Sequence, residues 1–220
     1  MDGAGACRMW RTSRGHLYTA TMRCEPAVPV TLFLDYNCPF CYVASHRLER
    51  LNARYGLDVL WRFLEIRPNA PSPEADGADQ LNQPSLHALL REDDLPWHPP
   101  AVLPNTRRVL LLAQTVLLYR RPCFPAFHHT VFHAVFGEGR DIGDTAVLNA
   151  LARESGVDDL MTTAWGSAEP VEAFLSHVQA AQELDLANVP ALVVADRPFQ
   201  GAVSTDLLEQ ALEQAARGGA

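Results

Sequence analysis

The sequence predicts an α/β fold in which a βαβ unit near the start and a closing ββα unit are separated by an all-helical insertion. Three observations predict it. Val28 to Leu34 is short, β-branched or apolar at nearly every position and stops at the polar Asp35, the pattern of a strand buried on both faces. A helical apolar spacing follows it directly. Later, between Thr106 and Glu183, helical patterns succeed one another without a strand, and β signal returns only at Ala191.

The elements follow in order. Pro29 is tolerated in the first strand only near its beginning. Ala44, Leu48, Leu51 and Tyr55 recur at helical spacing with Arg47, Glu49, Arg50 and Arg54 between them, and Gly56 closes that helix. Asp58 to Leu64 alternates as a second strand, so the βαβ unit predicts parallel pairing. From Ile66 to Pro104 the composition turns to Pro, Asn, Asp and Ser, a long surface excursion with one short helix around Leu86 to Leu90. Helices are expected at Thr106 to Tyr119, Ala126 to Phe136, Thr145 to Ser155, Val157 to Thr163 and Ala168 to Glu183. Asp144 and Ser167 read as caps, Gly156 as a stop and Pro170 as a first-turn proline. Ala191 to Ala195 and Phe199 to Val203 form a hairpin around Asp196-Arg197-Pro198. Ser204 caps a last helix with an apolar face of Leu207, Leu208, Ala211, Leu212 and Ala215, and Gly218-Gly219-Ala220 frays. The expected organisation is a poorly ordered extension over 1–26, a core domain from 27–66 and 184–216, and an inserted loop and helical domain over 67–183. Met22 is an alternative start to Met1.

With 220 residues, 48% apolar and 20% charged, the composition is that of a soluble globular chain, and no apolar stretch reaches membrane-spanning length. A net charge of −8, with basic residues scattered apart from pairs such as Arg107-Arg108, argues against nucleic acid and anionic membranes as partners. Met1 to Cys24 lacks the continuous apolar core of a secretory signal, so the expected compartment is the cytoplasm. Five cysteines do not make a disulfide framework; Cys7, Cys24 and Cys123 are isolated, and only Cys38 and Cys41 form a motif.

That motif, Cys38-Pro39-Phe40-Cys41, sits where the first strand hands over to the first helix. Unpaired backbone N–H groups and the positive end of the helix dipole favour a thiolate there, which makes Cys38 the nucleophile. Cys41, one turn further in and less exposed, is placed to resolve a mixed disulfide. Pro39 suits a first helical position. Phe40 adds an apolar wall without charge, so a moderate rather than extreme acidification of Cys38 is expected. Two other readings stay open. A zinc site needs four ligands, and only His129 and His133 stand at supportive spacing. A pair of inert buried cysteines leaves the strand-to-helix placement unexplained. For the His128-His129…His133 set, partly buried histidines are the simpler reading than a metal site, because no carboxylate completes it. Leu110, Leu111, Leu112, Leu117 and Leu118 read as core, and Glu92-Asp93-Asp94 as a solvated acidic loop. Val189-Pro190 stands just before an apolar strand, where proline leaves preceding backbone groups free and the bond can be cis.

Together these features resemble the DsbA-like branch of the thioredoxin superfamily, and within it the FrnE-like and 2-hydroxychromene-2-carboxylate isomerase-like group. The residues that carry the resemblance are Asp35 to Tyr42, Trp61 to Pro68, Pro104-Asn105-Thr106, Phe136 to Ile142 and Val189-Pro190, within a similarity from Val28 to Ala215. The resemblance implies a thioredoxin fold interrupted by a helical insertion, with Cys38 as nucleophile and Cys41 as resolving cysteine. It also implies a cis-proline loop at Val189-Pro190 and a substrate groove formed by Pro39, Phe40, Val189, Pro190, Asn105, Thr106 and Asp35. Phe40 stands where the group often has Trp, and Asn188 where it often has Gly. No further cysteine pair lies near the C-terminus, as in some FrnE-like members. The isomerase branch typically carries Ser at the first cysteine position and uses glutathione. The implied activity is thiol:disulfide exchange on disulfide- or thiol-containing proteins or small molecules, with no tightly bound cofactor, no metal, and glutathione open as co-substrate. The alternatives are glutathione-dependent isomerisation or transfer on a small aromatic substrate, and a zinc-stabilised interaction module. A homodimer through the helical insertion is also open.

Overall fold

The computed structural model describes residues 28–68, 81–201 and 203–218. The expected N-terminal extension, the middle of the surface excursion and the closing Gly219-Ala220 lie outside the described residues.

Strand β1 (Pro29–Leu34) leads into helix α1 (Pro39–Tyr55) and strand β2 (Asp58–Phe63). β1 and β2 are parallel, in register from Pro29 opposite Asp58 to Leu34 opposite Phe63. Strand β3 (Ala191–Val194) pairs antiparallel with the other side of β1, and β4 (Arg197–Gln200) with β3, so the sheet order is β2-β1-β3-β4. The inner position of β1 explains its unbroken apolar run: Leu32, Phe33 and Leu34 are all fully buried. Pro29 occupies the first strand position, as its missing N–H requires.

The hairpin turns earlier than its sequence suggests. Ala195 and Asp196 both have positive φ (45° and 66°), so these two residues make the turn. Arg197 and Pro198 therefore lie in β4, which ends at Gln200 rather than Val203. The proline is tolerated because β4 is an edge strand.

Between β2 and β3 the helices are α2 (Pro84–Glu92), α3 (Arg107–Tyr119), α4 (Phe124–Phe132), α5 (Thr145–Glu154), α6 (Met161–Gly166) and α7 (Ala168–Glu183). Helix α8 (Thr205–Gly218) closes the chain. The helix expected at Ala126 to Phe136 begins earlier, with Pro125 in its first turn, and widens into a π turn over His133–Gly137. The Asp144 carboxylate caps α5 by accepting from the backbone N–H groups of Ala146 (2.6 Å) and Val147 (3.2 Å). Ser167, also expected to cap, makes no such bond to α7.

The insertion is tied to the sheet through the exposed edge of β2. Arg121 donates to the Val59 carbonyl (3.3 Å), and the Phe63 N–H donates to His177 Nδ1 (2.9 Å). These bonds occupy edge groups that another strand would otherwise find. Burial and the nearby Arg62 lower His177 to about 4, which keeps its ring neutral as that acceptor. One continuous core runs from Leu32, Leu48 and Phe63 into Val109, Leu112, Phe127 and Leu151, and most of the leucine run of α3 belongs to it.

The acidic stretch at the end of α2 is not a solvated loop. Arg47, expected on the polar face of α1, is buried, and the Asp93 carboxylate meets it at 2.6 Å while its other oxygen meets Arg50 at 2.7 Å. Glu92 lies 3.2 Å from Arg47, whose guanidinium also donates to the Val203 carbonyl at 3.0 Å. A buried guanidinium needs a counter-charge, and Asp93 supplies it from the neighbouring element. Among the described residues, no helix is long and apolar enough to cross a membrane.

Candidate functional site

β1 ends at Asp35, and the chain turns through Tyr36 and Asn37 into α1, closed by the Cys38 N–H donating to the Asp35 carbonyl (3.2 Å). Cys38 is the N-cap of α1, with extended backbone (φ −99°, ψ 111°), and Pro39 opens the helix. The Cys38 sulfur takes the place that a serine or aspartate oxygen usually fills, accepting from the Cys41 N–H at 3.4 Å. Backbone N–H groups and the helix dipole therefore converge on this sulfur. On its other side the Cys38 thiol lies 3.5 Å from the Val189 carbonyl as donor, and the Val189–Pro190 peptide is cis. The two predicted loops thus face one another across the sulfur.

Both cysteines are free thiols, Cys38 at 3% exposure and Cys41 at 0%. Burial pushes the Cys41 thiol well up, and its contact with Cys38 adds to the effect. Phe40 packs over a crevice with Val43, Leu192, Val203 and Leu208, which seats the start of α1 on β3 and α8.

Asp35, expected to line the groove, is buried inside the cysteine turn. It is fully buried, accepting from the backbone N–H of Ile66 at 2.8 Å and of Asn37 at 3.4 Å. Burial raises its carboxyl to about 6, while the Ile66 N–H, the Thr106 side chain and the Asn37 N–H pull against the rise. Asp35 therefore joins the cysteine turn to the exit of β2. Thr106 is buried at the start of α3, and Asn105, half-buried, accepts from the Arg107 N–H at 3.1 Å. Arg107 reaches back to Glu65 at 2.5 Å, so the Trp61 to Pro68 and Pro104 to Thr106 stretches meet beside the cysteine turn. Gly143 closes this contact from behind, since a Cβ there would stand 3.2 Å from both the N and O of Asn105.

Sequence reasoning missed one polar pair. Tyr36, fully buried between Asp35 and Asn37, is hydrogen-bonded through its hydroxyl to His128 Nδ1 at 2.9 Å. The His128 ring is packed among Tyr36, Trp61, Phe124 and Phe132, with centroids 4.6–5.4 Å away. Burial pulls His128 down to about 3, so it is neutral and turned toward Tyr36 rather than toward a metal. The only signal in the sequence was the aromatic density around it. Among the described residues no three His, Cys, Asp or Glu side chains are grouped to hold a metal ion.

Comparison with known proteins agrees with this geometry. An uncharacterized Bacillus subtilis (strain 168) protein, YwbO, is 27% identical over 197 residues, covering 84% of this chain and 96% of that protein. A 2-hydroxychromene-2-carboxylate isomerase structure superposes with a TM-score of 0.71 at 23% identity, covering 86% of this chain and 97% of the other. A probable DsbA oxidoreductase of Streptomyces coelicolor superposes with a TM-score of 0.70 at 21% identity, covering 86% and 89%. At these identities the two structures speak for the fold, a thioredoxin-type sheet carrying a helical insertion. The DSBA-like thioredoxin domain family model matches residues 29–213, and with β1, the helix-capping cysteine pair and β3 all inside that span, the chain belongs to this family.

Proposed function

We propose that the protein is a thiol:disulfide oxidoreductase with Cys38 as nucleophile and Cys41 as resolving cysteine. The observation that carries this reading is the Cys38 sulfur itself, which is held at the N-terminus of α1 by the Cys41 N–H and faces the Val189 carbonyl. The family's chemistry, of thiol–disulfide oxidoreductase type or the related isomerase and transferase type, supports it.

In the reducing direction, the Cys38 thiolate attacks one sulfur of a substrate disulfide. A mixed disulfide forms and the other substrate sulfur leaves as a thiolate. Cys41 then loses its proton and attacks the Cys38 sulfur, closing a Cys38–Cys41 disulfide and releasing the second substrate thiolate. Two electrons pass from the cysteine pair to the substrate, and the oxidising direction is the reverse. The high proton affinity of buried Cys41 keeps it a thiol until the mixed disulfide has formed. On this reading the substrate lies against Val189 and Pro190 beside Cys38, with Asn105 at the edge and Pro39 and Phe40 shaping the turn, while the buried Thr106 and Asp35 support it from inside. The substrates are disulfide- or thiol-containing proteins or small molecules, in a cytoplasmic setting where glutathione is the natural exchange partner.

The test is the equilibrium of the pair in glutathione redox buffers, with thiols trapped and counted. A reversible two-thiol transition that disappears in Cys38→Ser is expected. Thiols that never pair, or exchange that persists in Cys38→Ser, would overturn the proposal. The likeness to 2-hydroxychromene-2-carboxylate isomerase favours one second reading, a glutathione-dependent isomerase acting on a small aromatic compound. That activity requires glutathione and survives Cys41→Ser, whereas disulfide exchange by the pair does not.

A further inference from the structure

We propose that a second site lies on the far part of α1, a cleft between α1, β2 and the junction of α3 with α4 that binds a single-ring organic amine. The ammonium pairs with Glu49 and the ring lies against Trp61 and Phe124.

The cleft has a volume of about 210 Å³ and is walled chiefly by Leu48, Trp61, Leu117 and Phe124, with Glu49, Asp58 and Arg121 as its charged groups. Glu49 follows Cys41 by eight residues, about 12 Å along a helix, so the cleft is separate from the cysteine groove.

Glu49 is not paired with the other two charged groups. Arg121 donates to the Val59 carbonyl at 3.3 Å and lies 3.9 Å from Asp58. Glu49 lines the cleft and has no hydrogen bond or ion pair among the described residues. Burial alone raises it to about 7, with no cation offsetting the rise. A half-buried carboxylate without a partner is costly, and an ammonium is the group that relieves it. Apart from Asn52 and Asp58, the rest of the wall is aromatic and aliphatic, which suits a ring. Size sets the scale, since an apolar cavity of about 150 Å³ in another protein holds benzene, leaving room here for one ring and a short amine arm. The net charge of −8 favours the approach of a cation and disfavours an anionic ligand. None of this depends on the redox reading of the cysteines.

The test is calorimetric titration of the full chain with benzylamine at pH 8, where carboxylate and ammonium are both charged, beside the neutral benzyl alcohol. Saturable benzylamine binding is expected, weakened about tenfold in Glu49→Gln, the worth of one charge-assisted contact. Benzyl alcohol should bind weakly and alike to both proteins. Leu117→Phe, which fills the cleft from its apolar wall, should abolish benzylamine binding without touching the carboxylate. Cys38→Ser should leave it unchanged. Absence of saturable binding, equal binding by Glu49→Gln, or binding that survives Leu117→Phe would overturn the proposal, as would loss of binding in Cys38→Ser.

Discussion

Replacing Asp93 by alanine should be among the most destabilising single changes available outside the apolar core. The Asp93 and Arg47 side chains are each 1% exposed, and their contact is 2.6 Å long. Breaking such a pair by removing one partner costs about 3–5 kcal/mol, because the remaining charge stays buried. Here the lower end applies, about 3 kcal/mol, since Arg47 keeps the Val203 carbonyl and the Glu92 carboxylate. Arg50, half exposed, contributes no more than about 1 kcal/mol to the loss. Glu92 is 58% exposed, so Glu92→Ala should cost under about 1 kcal/mol. In urea unfolding, with a slope of about 2 kcal/mol/M, Asp93→Ala should lower the midpoint by about 1.5 M. The double variant Arg47→Met/Asp93→Leu should recover most of that loss, as buried ion pairs replaced by apolar groups often do. If Asp93→Ala and Glu92→Ala were equally mild, the acidic stretch would be behaving as a solvated loop and the burial argument would be wrong. A double variant no better than the single one would equally refute it.

Three further outcomes are expected. Cys41→Ser exposed to glutathione disulfide should accumulate a mixed disulfide on Cys38, seen by intact mass as one glutathione more than the Cys38→Ser/Cys41→Ser double variant takes up through its remaining cysteines. Asp35 has a carboxyl raised from 3.8 to about 6 in the folded protein, so its ionisation opposes folding above that range. The Asp35 contribution to stability should therefore fall by up to about 3 kcal/mol as pH rises from about 4 to about 6, against the opposite trend from His128 and His177, so Asp35→Asn should gain stability over wild type progressively across that range. His128 is shifted the other way, from 6.5 to about 3, so its contribution is complete above 6.5 and is lost as pH falls toward 3. The drop in unfolding midpoint between pH 7 and pH 4 should be smaller in His128→Leu than in wild type.

Much of this architecture is legible in local sequence. The apolar run of β1, the Pro39 that opens α1, the Asp144 cap and the left-handed Gly56 and Gly156 all act within a few residues of themselves. For the same reason the cysteine pair could be placed at a helix N-terminus before any tertiary contact was known, because a strand ending in a polar turn beside Cys-Pro leaves little else for the backbone to do. Ser167 shows the limit of such signals: it has the right chemistry in the right place, yet its side chain makes no cap bond. The hairpin register likewise turned on two left-handed residues, Ala195 and Asp196, of which the alanine carries no turn signature. The tertiary structure alone decided which charges are buried and which polar groups meet. Arg47 and Asp93 are 46 residues apart, and Tyr36 and His128 are 92 apart. Whether such a group is solvated or stranded depends on the element packed against it. Desolvation, unlike helix or strand preference, is a property of the assembled neighbourhood and not of the segment that carries the side chain.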